Sequence, residues 1–81
     1  MNDSAQAEET ARAILDVVVN HFMLKPGDVQ ITPVFLRVWQ GKGQDEDLFE
    51  PGLQHAAAAG WVEIAADGGT FTLTQAGFDA A

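Results

Sequence analysis

The chain has 81 residues, 47% apolar and 20% charged, the composition of one small globular domain rather than a disordered segment. Four Lys or Arg stand against twelve Asp or Glu, a formal net charge of −8 that repels nucleic-acid phosphates and acidic membrane surfaces. Cysteine is absent, which excludes disulfides and thiolate chemistry; no apolar stretch approaches the ~20 residues of a membrane span, and acids within residues 1–13 replace the basic start of a signal peptide, so a cytoplasmic location is expected.

Residues 1–6 are small and polar and are expected to be flexible, with Asp3 or Ser4 available to cap a first helix. Ala11, Ile14, Leu15, Val18 and Phe22 then recur at helical spacing, while Glu8, Glu9, Arg12, Asp16 and Asn20 supply the wet face. Val17, Val19, Met23 and Leu24 widen the apolar stripe, so this helix is either central to the core or shared with a partner. Lys25-Pro26-Gly27 ends it, because Pro26 cannot extend a helix and Gly27 accepts positive φ. Asp28-Val29-Gln30-Ile31 alternates polar and β-branched residues as a short strand does. Thr32-Pro33 opens a second helix, the hydroxyl capping and the proline in the first position. Val34, Phe35, Val38 and Trp39 form its buried side, and Gly41-Lys42-Gly43 stops it.

Two starts compete for the third helix. Asp47 with Glu50 has the form of a capping box but leaves Pro51 one turn inside. A start near Glu50 avoids that loss and leaves residues 45–49 as a turn or one loose turn of helix, and is the preferred reading. Leu53, Ala56, Ala57 and Gly60 line one side of this helix, which Gly60 ends. Residues 61–66 and 70–74 are β-rich runs around Asp67-Gly68-Gly69, a hairpin signal, and the period of two sets Val62 and Ile64 with Phe71 and Leu73 over the core. Thr74 then caps a short terminal turn of helix holding Phe78.

The order α-β-α-α-β-β with a terminal helical turn describes a small α+β domain. Its third helix closes in Gly60-Trp61-Val62-Glu63-Ile64, a glycine turn follows, and the chain leaves through Phe71-Thr72-Leu73-Thr74-Gln75-Ala76-Gly77, with a Leu-Thr-x-x-Gly spacing. This resembles the helix, wing and exit of many bacterial winged helix-turn-helix proteins, over nearly the whole of a single domain spanning 1–81. The resemblance implies a third helix in the DNA major groove, a wing on the adjacent backbone or minor groove, and dimerisation through helices outside the reading pair.

Under that implication Arg37, Lys42, Gln44, Gln54 and His55 are the candidate DNA-contacting residues. A groove-reading helix, however, needs donors toward bases and cations toward phosphates, and residues 45–60 hold Asp45, Glu46, Asp47 and Glu50 with no Lys or Arg. The wing tip is acidic or uncharged, and the turn expected between the second and third helices exceeds the 3–4 residues of a compact helix-turn-helix. The favoured expectation is therefore a small acidic, non-catalytic binding module for a protein partner or a second copy of itself. Its candidate partner-binding residues are Trp39, Asp45, Glu46, Asp47 and Glu50, with Trp39 read as a partly exposed anchor and Trp61 as a core closure. The alternative is a dimeric DNA-binding transcriptional regulator with a basic stripe assembled from Arg12, Arg37 and Lys42. No enzyme activity, cofactor, metal site, membrane contact or small-molecule substrate is expected. Ser4 is the only serine, no Gly-rich phosphate loop occurs, and His21 and His55 fall on different helices.

Overall fold

Helix α1 (Asp3–Asn20) turns Ala11, Ile14, Leu15, Val17 and Val18 inward, all buried, and leaves Glu8, Glu9, Arg12 and Asp16 in water. Of the residues expected to widen the apolar stripe, Val17 is buried and Val19 and Leu24 pack against the core, whereas Met23 is exposed. The computed structural model describes residues 3–44 and 46–81, residues 3 and 4 by backbone alone, so Met1, Asn2 and any cap from Asp3 or Ser4 lie outside the described residues. Because α1 already begins at Asp3, the segment expected to be loose is helical from residue 3.

The helix ends at Asn20, five residues before the expected stop at Lys25. β-branched Val17, Val18 and Val19, then Asn20 and His21, are weak helix formers, and the ladder opens there. Phe22 N–H reaches back to the Val17 carbonyl (3.1 Å) and Leu24 N–H to that of Val18 (3.0 Å), with Met23 between them at a left-handed φ of 56°. This turns Phe22 and Leu24 back onto the core. Gly27, at φ 93°, then donates its N–H to the Leu73 carbonyl (2.8 Å) and delivers the chain to the sheet.

Strands β1 (Val29–Ile31), β2 (Val62–Ile64) and β3 (Thr70–Leu73) form an antiparallel sheet in the order β1-β3-β2. Val62 pairs with Leu73 and Ile64 with Phe71, which sets those four side chains toward the core as the period of two predicts. β1 has the opposite phase to its hydropathy. Leu73 N–H donates to the Asp28 carbonyl and Thr32 N–H to that of Gly69, both at 3.0 Å, and this register places Gln30 inward opposite Phe71. Gln30 is 6% exposed, whereas Val29 and Ile31 point outward at 57% and 55%. The buried amide is satisfied locally, its Nε2 donating to the Ile31 carbonyl at 3.1 Å.

Helix α2 (Thr32–Gly41) buries Phe35 and Trp39 fully, with Leu36 and Val38 half-buried; Val34, expected inside, is exposed. Its N-cap is Ile31 and carries no side-chain cap. The Thr32 hydroxyl, expected to cap, is instead the first helical residue's, buried and without a hydrogen-bond partner among the described residues. Helix α3 (Glu46–Ala58) begins earlier than expected, so residues 42–45 are the whole connection from α2, within the spacing of a compact helix-turn-helix. Asp45 itself lies outside the described residues.

Helix α4 (Gln75–Ala80) explains the Leu-Thr-x-x-Gly spacing. The Thr74 Oγ1 accepts from the Gly77 N–H (3.1 Å) and lies within donating distance of the Gly60 (2.6 Å) and Trp61 (2.8 Å) carbonyls, tying the hairpin's two ends together. A Cβ at Gly77 would collide with the Trp61 carbonyl oxygen, so the last position of the motif has to be glycine. Gly52 plays the same part between α1 and α3, where a Cβ would meet the Thr10 side chain.

Gly77→Ala and Gly52→Ala are each expected to lower unfolding free energy by about 1–3 kcal/mol through overpacking, measured by urea denaturation. Gly41→Ala, where an added Cβ meets nothing within 4 Å, is expected to leave stability unchanged or slightly raised.

Candidate interaction surface

Helix α3 holds together despite a proline in its second turn. Pro51 contributes no N–H to the ladder and crowds the preceding turn, a cost of about 3 kcal/mol in a helix interior. Against this, Phe49 is buried with its ring 5.5 Å from Phe35 and 6.0 Å from Trp39, and Leu53 is buried one turn on. Each such side chain contributes about 1.5–3 kcal/mol, enough together to hold the first turns helical. Glu46 and Asp47 favour the positive end of the helix, and the Gln40 Nε2 donates to Glu46 Oε1 (2.7 Å) across the connection from α2. Local capping and Pro51 alone favour a start near Glu50, but the tertiary burial of Phe49 and Leu53 outweighs them.

With Phe49, Gly52, Leu53 and Ala56 turned inward, the outward side of α3 presents Asp47, Glu50, Pro51 and Gln54. The helix contains no Lys or Arg. Arg12 pairs with Glu8 on α1 (3.3 Å) and sets its guanidinium 5.1 Å from the centre of the Trp61 ring. Lys42 lines a shallow depression with Asp16, Asn20 and His21 at the C-terminal end of α1. Arg37 is exposed on α2. Arg12 lies one turn from Asp16 on the same side of α1, so it is a turn away from the depression that Lys42 lines, and α3 itself contributes no Lys or Arg. Of the other candidate DNA contacts, Gln44 and Gln54 are exposed, but His55 is half-buried with its ring edge-on to Trp61 at 6.2 Å.

One of the two tryptophans departs from its expected setting. Trp39, read as a partly exposed anchor, is 1% exposed, packed between Phe35 and Phe49, and is removed from the set of surface contacts. Its place on α2, one turn after Phe35, points it to the same side as that ring. Trp61, read as core closure, does pack against the core and is half-buried, beneath Arg12 and beside His55. Glu46, Asp47 and Glu50 are exposed as a surface role requires.

Beside the Thr10–Gly52 contact, α1 and α3 leave a shallow cleft of about 260 Å3 lined by Gln6, Ala7, Thr10, Leu48 and Pro51. It was not legible in the sequence, because it depends on how closely two helices approach. Among the described residues no three His, Asp or Glu side chains gather as a metal site would need, and no helix is long and apolar enough to cross a membrane. The chain matches no protein-family model, no curated protein and no solved structure.

Tryptophan emission reads the burial of Trp39 directly. In Trp61→Phe, the remaining Trp39 is expected to emit at short wavelength and resist acrylamide; if it quenches as freely as wild type, the buried placement is wrong.

Proposed function

We propose that this chain is a non-catalytic protein-binding module on a winged-helix scaffold, engaging its partner through the outward side of α3. The scaffold reading is supported by the element order, the β1-β3-β2 sheet, and a β2–β3 hairpin joined by the turn at 65–69. The observation that carries the functional reading is the charge on α3: Asp47 and Glu50 face outward and no cation accompanies them on the helix. Phosphate neutralisation supplies most of the non-specific affinity of DNA-binding proteins, and a surface of this sign opposes it. Self-association is the second form of the same reading, but the apolar stripe of α1 is occupied by the core and does not supply its interface.

One observation favours the alternative of a DNA-reading dimer. The connection at 42–45 has helix-turn-helix length, and Gln54 points outward from α3 as a base-reading side chain would. Charge weighs more than this spacing, because geometry positions a helix but cannot replace the cations that phosphates require.

An amide NMR titration with a mixed-sequence DNA duplex at about 50 mM salt, where phosphate contacts are strongest, separates the two. The expected outcome is an unshifted spectrum. Salt-reversible shifts clustered on Arg37, Lys42, Gln54 and the hairpin tip would overturn the protein-binding reading.

A further inference from the structure

We propose that Asp67, in the turn of the β2–β3 hairpin, is a site of spontaneous isomerisation in the folded chain, giving an isoaspartate form of equal mass. No other aspartate or asparagine in the sequence precedes a glycine. Glycine in that place matters because the reaction begins with its backbone nitrogen, whose own Cα carries no Cβ to obstruct the approach. The Gly68 nitrogen attacks Asp67 Cγ: an N–C bond forms, the C–OH bond of the neutral carboxyl breaks, and the amide proton and the hydroxyl leave as water. The five-membered imide that results takes up one water again. Opening at Cγ restores aspartate. Opening at the main-chain carbonyl leaves Gly68 joined through Cγ, with the former peptide carbonyl now a carboxylate and one extra methylene in the backbone. No oxidant, metal or second substrate enters.

The turn reaches this geometry without unfolding the domain. Residues 65–68 are all exposed, so no side chain there is held by the core. Two hydrogen bonds restrain the reacting groups: the Gly68 N–H donates to the Ala65 carbonyl and the Gly69 N–H to Asp67 Oδ1, both at 2.9 Å. Each joins residues no more than three apart, so both release in a local opening that leaves the helices packed. The turn is also tied to the rest of the fold. The Gly69 carbonyl accepts from the Thr32 N–H and the Ala65 N–H donates to the Thr70 carbonyl, both at 3.0 Å. A methylene inserted at residue 67 lies between Ala65 and Gly69 and displaces one against the other, which loosens the bond that joins the hairpin to the start of α2. The two forms therefore differ at the hairpin turn and at the β1–α2 junction, and the inference holds whichever reading of α3 stands.

The test holds the full-length chain, folded as amide dispersion verifies, in warm and mildly acidic buffer for several weeks. Isoaspartate is quantified by enzymatic transfer of a labelled methyl group from S-adenosylmethionine and placed by electron-transfer fragmentation of the tryptic peptide 43–81. It is expected at residue 67 and at no other aspartate, with a second set of amide signals growing for Thr32, Ala65, Gly69 and Thr70. Asp67→Ser, which keeps an acceptor for the turn, is expected to abolish it. Gly52→Ala separates local from global opening: its rate at residue 67 is expected to match wild type, although the variant populates the unfolded chain about fivefold or more. Absence of isoaspartate at residue 67, formation mainly at other aspartates, or a rate that rises with the unfolded population in Gly52→Ala overturns the proposal. Unchanged Thr32 and Ala65 signals in the isomerised chain overturn its structural consequence. The wild-type measurement needs no variant, so it decides the site even if Gly52→Ala fails to fold.

Discussion

The ring of Phe35 is the contact on which the rest of the molecule depends. It is fully buried and lies 5.5–6.0 Å from four other rings: Phe22 after α1, Trp39 on its own helix, Phe49 on α3 and Phe71 on β3. Every layer of the fold therefore meets at one side chain. Aromatic pairs at such separations contribute about 0.5–1.5 kcal/mol each beyond the area they bury. In a domain this small, that is a large share of a net stability of roughly 5–15 kcal/mol. The same cluster accounts for local features that look unfavourable in isolation. Phe49 holds the first turn of α3 in place in spite of Pro51, and Phe22 rewards the left-handed excursion at Met23 that ends α1 early.

The phase of β1 follows from the same constraint. β1 passes into α2 without a linker, Ile31 being both the last strand residue and the helix N-cap, so strand and helix cannot choose their faces separately. Turning Phe35 and Trp39 inward while Thr32 N–H bonds to Gly69 leaves Gln30 as the residue facing the core. Exposing Val29 and Ile31 forfeits part of about 1.5–3 kcal/mol for each, whereas releasing Phe35 and Trp39 would forfeit two complete aromatic burials and the contacts between their rings. The helix wins, and Gln30 accommodates the result by bonding its amide to the neighbouring carbonyl.

What the sequence revealed divides along this line between local and non-local causes. The hairpin pairing of Val62 and Ile64 with Leu73 and Phe71, the Thr74 cap and the breaker at Gly60 were all legible, because each is set by residues within a few positions of one another. The inverted β1 and the start of α3 at Glu46 were not, because each is decided by packing against elements distant in sequence. The surface shows the same division. The acids of α3 could be read residue by residue, but which tryptophan remains near the surface depends on the Phe35 cluster, and the cleft exists only because Gly52 rests on Thr10.

A helix held outward by a packed core presents whatever charges its exposed positions carry, and on the proposed reading the spacing of α3 and those charges pull in different directions. The four-residue connection from α2 sets α3 at the spacing of a DNA-reading pair, while Asp47 and Glu50 oppose phosphate contact. These two influences do not weigh equally. Helix placement contributes to binding only after the backbone charge of DNA has been neutralised, since phosphate contacts fix the register in which bases are read. Glu8 offsets Arg12 through an exposed pair, and α3 carries no Lys or Arg of its own to supply that neutralisation. On the reading proposed here, the fold keeps the presentation of its third helix and the side chains on that helix change the class of ligand.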